Sequence, residues 1–138
     1  MRRITPKNLF RILDANFNRT KEALRVCEDI ARFILDDAAL TKNFKLIRHK
    51  MTRLVAAFAT GPLIGSRDIE GDVGKKSITQ ELKRKKVSDI FYANIQRAKE
   101  SVRVLEEFAK LYQAQTALKF KGLRYQLYAL EKKASLQF

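Results

Sequence analysis

The chain has 138 residues, 29 Lys and Arg against 15 Asp and Glu, and a formal net charge of +14. Its 46% hydrophobic and 32% charged residues are a globular composition rather than a disordered one, and no apolar run approaches the ~20 residues of a membrane-spanning helix. The single Cys27 excludes an internal disulfide and suits a reducing cytoplasm.

Thr5-Pro6 opens the first expected helix, with Thr5 as N-cap and Pro6 at the first helical position. Leu13, Phe17, Leu24, Cys27, Ala31 and Ile34 follow helical spacing and carry it to about Leu35. Cys27 falls on this stripe, where a small core residue is expected rather than a nucleophile. After a turn at Asp36-Asp37, a second helix is predicted from about Ala38 to Ala59, ended by Gly61-Pro62. Residues 61–76 hold four of the five glycines and read as one long irregular stretch. Ser77 to Lys86 is a short-helix candidate, with Ser77 and Gln80 as a capping box. Ser88 then caps a third long helix to about Tyr112. A fourth runs from about Thr116 to Ala134 through Leu118, Leu123, Leu127 and Leu130.

The chain nearly repeats itself. Ala15–Phe33 and Ala93–Leu111 are identical at 9 of 19 ungapped positions. The likeness continues more weakly from Phe44–His49 to Phe120–Tyr125, with the offset changing from 78 to 76 residues. The expected fold is therefore all-α: four long helices as two repeated helical hairpins, joined by a Gly-rich loop and a short helix. One domain is expected, with hairpins at about 5–60 and 88–135 and the loop and short helix at 61–87. Val26, Ile30, Phe33 and Val104 widen the apolar arc, the feature that would support a homo-oligomer.

Apolar packing accounts for only half of the repeat. Asn16, Arg19 and Glu22, spaced i, i+3, i+6, form a polar ridge that returns as Asn94, Arg97 and Glu100. Arg19 lies among Ala23 and Val26 and is expected to be half-buried, which demands an anion: Glu22, a facing carboxylate, or a ligand. Arg25, Lys21, Glu28, Asp29 and Arg32 read as ordinary surface ion pairs. The loop from Ser66 to Lys76 offers three carboxylates, three cations and two glycines. Carboxylates can supply oxygens to Mg²⁺, and glycines let backbone N–H groups approach phosphate. Gly71-x-x-Gly74-Lys75-Lys76-Ser77 is not a P-loop, because the first glycine that motif needs is replaced by Ile69. His49, the one histidine, has no partner for a zinc site, and no serine-hydrolase elbow is present.

Four strings in order, RILDANFNRTKEALRVCEDIARFILDD, LIRHKM, SRDIEGDVG and ANIQRAKESVRVLEEFAK, resemble one family over roughly Arg11 to Lys110. It is the monofunctional hydroxymethylpyrimidine phosphate kinase domain found ahead of thiamine phosphate synthase in some bacteria and also alone. The resemblance implies ATP- and Mg²⁺-dependent conversion of 4-amino-5-hydroxymethyl-2-methylpyrimidine phosphate to its diphosphate, in thiamine biosynthesis. In the compatible assignment, Arg19, Arg97, Arg67 and Arg48 clamp phosphates, and Asp68 and Asp72 hold Mg²⁺. Asn16 and Asn94 hydrogen-bond substrate, Glu22 steadies Arg19, and His49 and Gly74 complete the substrate-binding set. The partners implied are the phosphorylated pyrimidine, ATP and a separate thiamine phosphate synthase.

Two readings compete. One is a non-catalytic partner domain of that synthase. The other is a basic helical nucleic-acid-binding protein, which would need a basic stripe on one face or exposed aromatics. The lysines read as dispersed and most aromatics fall on apolar stripes, which weighs against nucleic acid.

Overall fold

The computed structural model describes residues 2–57, 60–76 and 82–138. Five helices follow in order: α1 Pro6–Phe33, α2 Ala38–Val55, α3 Thr60–Gly65, α4 Val87–Ala109 and α5 Ala114–Ser135. The described residues contain no strand, so the fold is all-α, with the four long helices at the expected places. Thr5 caps α1 as its sequence dictates, its hydroxyl oxygen accepting from the Asn8 N–H at 3.1 Å. Asp37 caps α2 in the same way, through Leu40.

Three local expectations change. Gly61-Pro62 does not end a helix. It lies inside α3, where nothing surrounds Gly61 closely and Pro62 sits early enough that its missing N–H costs no hydrogen bond. Val87 rather than Ser88 begins α4, because the Asp89 carboxylate accepts from the Lys85 and Lys86 N–H groups. Residues 83–86 are not helical, and the proposed Ser77–Gln80 capping box lies outside the described residues.

The long helices form a ring in which α1 touches α2 and α4, and α5 touches α2 and α4. Phe10 against Tyr112 and Thr20 against Ser101 make α1 and α4 antiparallel. Asp37 with Gln137 and Lys50 with Gln126 do the same for α2 and α5. The repeat explains the crossing of α1 and α4. Under its 78-residue offset Thr20 maps to Ala98 and Ala23 to Ser101, and all four are buried small residues. Their size lets the two helices approach closely, and the hydroxyls of Thr20 and Ser101 come within 2.6 Å. The core holds Phe44, Phe91 and Phe120 at full burial, with Phe44 edge-on to Phe91. On α5 the buried residue is Ala117. Leu118, expected in the core, is 62% exposed, because it lies one position, about 100°, off the stripe of Phe120, Leu123, Leu127 and Leu130.

The wider apolar arc is mostly consumed within the chain. Ile30 is buried and Val26 packs on the core, leaving Phe33 exposed. Cys27 is fully buried, and burial pushes its thiol up to about 12. It should resist alkylation in the native protein at pH 8 and react at the rate of global unfolding, which a thiol-reagent time course with and without denaturant measures.

Candidate functional site

The polar half of the repeat divides into a structural part and an open part. The structural part is Glu28, for which the sequence predicts an ordinary surface ion pair. It is buried and accepts from Arg48 of α2 at 3.0 and 3.4 Å, with Arg25 at 3.5 Å. The second copy repeats this: Glu106 is buried and accepts from Arg124 of α5 at 2.9 and 3.5 Å, with Arg103 at 3.2 Å. Each hairpin is therefore tied by one Arg–Glu–Arg group, and these roles account for the recurrence of Arg25, Glu28 and Arg48 as Arg103, Glu106 and Arg124. Arg48 faces its own hairpin's carboxylate rather than the cavity described below.

Burial works to raise the Glu106 carboxyl, and the bonds and charges of Arg124 and Arg103 outweigh it, leaving it below the usual 4.5. A carboxyl lowered in the folded state stabilises above its unfolded value and loses that contribution as pH falls through its folded value. Glu106→Gln should therefore lower stability at pH 7 and flatten the decline below about pH 4.5, as read from denaturant midpoints across the acid range.

The open part lies at the other end of the ridge. A cavity of about 740 Å³ is lined by α1, the N-terminal arm and the 67–75 loop, within the size range of small-molecule sites. Six cationic side chains line it: Arg2, Arg3, Arg11, Arg19, Arg67 and Lys75. Asp14, Asp68 and Asp72 are its carboxylates, and Ile4, Ile12 and Ile69 its larger apolar groups. Asn8, Arg11, Ala15 and Arg19 recur at helical spacing, so one face of α1 forms the floor.

The loop is fastened to this floor by Asp14. Its buried carboxylate receives Arg67 through two bonds, Nε to Oδ2 at 2.6 Å and Nη2 to Oδ1 at 3.0 Å. Hydrogen bonding to Asp14, then its charge, holds the Arg67 guanidinium above its ordinary pKa. Beyond this anchor the loop folds on its own carboxylates. Asp68 Oδ1 accepts from the Gly71 N–H and Asp72 Oδ1 from the Gly74 N–H, each at 2.9 Å. A Cβ at Gly71 would overlap the Asp68 carboxylate, so a larger residue there would make that side chain shift.

The site residues expected from sequence separate accordingly. Asn16, Arg19, Arg67, Asp68 and Asp72 line one cavity, and Gly74 sits beside it on the loop. Arg19 is exposed rather than half-buried, although Asn16 of the same ridge is buried. Its steadying partner is the Asn16 side-chain oxygen at 3.3 Å, not Glu22, which is exposed. Asn16 in turn donates to the Ile12 carbonyl, as Asn94 does to Ile90. Arg97, Asn94, Glu22, Arg48 and the exposed His49 are not among the cavity residues. Only the first copy of the ridge reaches the cavity. Sequence reading missed Asp14, Arg11, Asn8 and the arm. Helical spacing back from Arg19 marks Asn8 and Arg11, whereas Asp14 has no counterpart in the second copy, where Tyr92 stands.

Among the described residues no three His, Cys, Asp or Glu side chains converge as a closed metal cage. Nor does any described carboxylate form an ion pair with Arg2, Arg3, Arg11, Arg19 or Lys75.

The cations are also less dispersed than the sequence suggests. Helices α2 and α5 carry five Lys or Arg each and one carboxylate, Glu131, between them. Helices α1 and α4 carry nine cations and eight carboxylates. Glu131 is bound to Lys99 of α4 at 2.6 Å and Arg48 and Arg124 are taken up by Glu28 and Glu106, so the α2–α5 layer keeps eight cations outside the described ion pairs. It includes a groove of about 400 Å³ bordered by Lys50, Arg53 and Lys119. No helix among the described residues is long and apolar enough to cross a membrane.

The model of the ThiD2 family matches residues 11–133. The thiamine-phosphate synthase of Nostoc punctiforme is 40% identical over 124 residues, 89% of this chain and 34% of that protein. Those of Rhodopirellula baltica and a Synechocystis strain are 39% and 38% identical over 132 residues each, 95% of this chain and 35% and 37% of theirs. The chain thus spans about a third of the length of the curated relatives it matches. No solved structure matches it significantly.

Proposed function

This chain belongs to the ThiD2 family, and we propose that it serves thiamine biosynthesis by moving a phosphoryl group from ATP to 4-amino-5-hydroxymethyl-2-methylpyrimidine phosphate. One observation carries this reading: a single cavity gathers five cations that have no described carboxylate partner, together with three carboxylates. The acceptor is a phosphate monoester whose second pKa is about 6, so it is mostly ionised at neutral pH and needs no strong base. The obstacle is bringing two polyanions together, and it is met by positioning and charge neutralisation.

In this reading Arg19, oriented by Asn16, and Arg11 bind phosphate on the α1 floor. Asp14 fixes Arg67 and with it the base of the loop. Asp68 and Asp72 each keep one oxygen beyond the one that accepts a loop N–H. That donor set fits Mg²⁺, which takes one or two carboxylates with the remaining positions filled by phosphates and water. The ion would supply charge neutralisation to the phosphates. Lys75 and the isoleucines border the space left for the two ligands.

The relatives favour a second reading, because the proteins that match are named thiamine-phosphate synthases and are about three times as long. Here the chain is a non-catalytic partner of a separate synthase, and the basic α2–α5 layer is its docking face. One assay separates the two: the purified chain with Mg²⁺, ATP and the pyrimidine phosphate, followed by ADP release. Turnover by the chain alone supports the kinase. No turnover, with a rise in the rate of added synthase, replaces it by the partner reading.

A further inference from the structure

The cavity is lined partly by residues inside the family match and partly by residues ahead of it. The family match begins at Arg11, so the shared region supplies Arg11, Arg19 and the 67–75 loop. The lining also includes Arg2, Arg3 and Ile4, which precede that match. The arm is directed by the first helix. Thr5 is held extended at φ −85° and ψ 153° while its side chain caps Asn8, and Pro6 fixes the first helical residue. The chain therefore leaves α1 at a set angle, and the next three residues run along the cavity.

From this placement we infer that the N-terminal arm, Arg2 to Ile4, is a polyphosphate clamp on the cavity, acting beside the α1 floor and the loop. A phosphate monoester finds enough charge on the floor at Arg11 and Arg19. Arg2 and Arg3 are surplus to it, and neither is ion-paired with a described carboxylate. Guanidinium groups bind phosphate oxygens in pairs, and cations crowded at one site repel each other until an anion joins them. Ile4, 41% exposed, and Ile69, 74% exposed, border the same cavity. Two open apolar side chains amid charge suit the flat face of a heterocyclic base, which would bury them. The ligand class is a nucleoside polyphosphate. Its naming as the phosphoryl donor rests on the kinase reading, whereas the clamp itself does not.

The test uses direct binding, so it remains informative without turnover. Inorganic tripolyphosphate with Mg²⁺ and the pyrimidine monophosphate are each titrated calorimetrically into the full chain and into an Arg2→Ala/Arg3→Ala variant. The arm precedes the helix cap, so helical circular dichroism should be unchanged. The clamp predicts tripolyphosphate binding weakened about tenfold or more and monophosphate binding changed less than about twofold. An Arg11→Ala variant should weaken both. Equal tripolyphosphate affinity in the full chain and the arm variant overturns the inference. So does an equal loss for both ligands, or no tripolyphosphate binding by the full chain. A clamp that persists in a chain without turnover would sink the kinase reading alone.

Discussion

Arg19→Ala is expected to lower kcat/KM for the pyrimidine phosphate by about 10²–10³ while leaving the thermal midpoint close to that of the unaltered chain. The side chain is exposed, makes no ion pair with a described carboxylate and touches Asn16 alone among the described hydrogen bonds, so its removal leaves no buried charge behind. What is lost is a fixed donor where phosphate charge gathers. Such donors contribute about 3–4 kcal/mol to transition-state stabilisation. Arg19→Lys keeps the charge but not the planar fork, and should recover only part of the rate. Arg97→Ala changes the equivalent residue of the second copy, which does not line the cavity, and should leave the rate within about twofold. Steady-state kinetics on the three proteins check this, and equal loss in Arg19→Ala and Arg97→Ala contradicts the assignment of one working copy.

Arg48→Ala should show the reverse pattern, a stability loss of about 3 kcal/mol with ligand affinity unchanged. Glu28 has 6% of its side chain exposed and Arg48 13%, so truncating the arginine strands a carboxylate in the α1–α2 interface. The half-exposed Arg25 compensates in part. Arg124→Ala strands Glu106 by the same geometry in the second hairpin and should cost a similar amount. Such a loss is a large share of the 5–15 kcal/mol that holds a domain of this size. Urea unfolding of both variants, paired with phosphate titrations, separates this structural role from the phosphate-clamping role expected for Arg48 from the family resemblance. A weakened ligand with unchanged stability would restore Arg48 to the site.

Much of the fold was legible because it is written twice. Helical spacing placed the long helices, and the near-identity of Ala15–Phe33 and Ala93–Leu111 paired them as hairpins. The repeat also contained the pairing of Glu28 with Arg48. Both residues recur with their copies, Glu28 under the 78-residue offset and Arg48 under the 76-residue one. The errors share a cause. A helical wheel gives direction around one helix but not how far the neighbouring helix extends over it. Arg19 therefore read as half-buried and Leu118 as core, though both are exposed. Asp14 follows Leu13 of the stripe and carries no local signal, because the residue that explains it, Arg67, is 53 positions away. The polar ridge proved composite. Asn16 and Asn94 serve their own helices by the same bond, and only Arg19 of the two arginines meets a cavity. The loop was recognised as chemical by its charges, but its attachment to α1 depends on tertiary packing that no local pattern encodes.

The central claim is that one cavity, floored by the first copy of the ridge and walled by the 67–75 loop, receives the phosphates. A crystal structure of the chain with Mg²⁺, a non-hydrolysable ATP analogue and the pyrimidine phosphate tests this most directly. The account predicts phosphate oxygens within hydrogen-bond distance of Arg11 and Arg19, and a metal ion touching Asp68 or Asp72. Phosphates seated instead in the α2–α5 groove, at Lys50, Arg53 and Lys119, would contradict it.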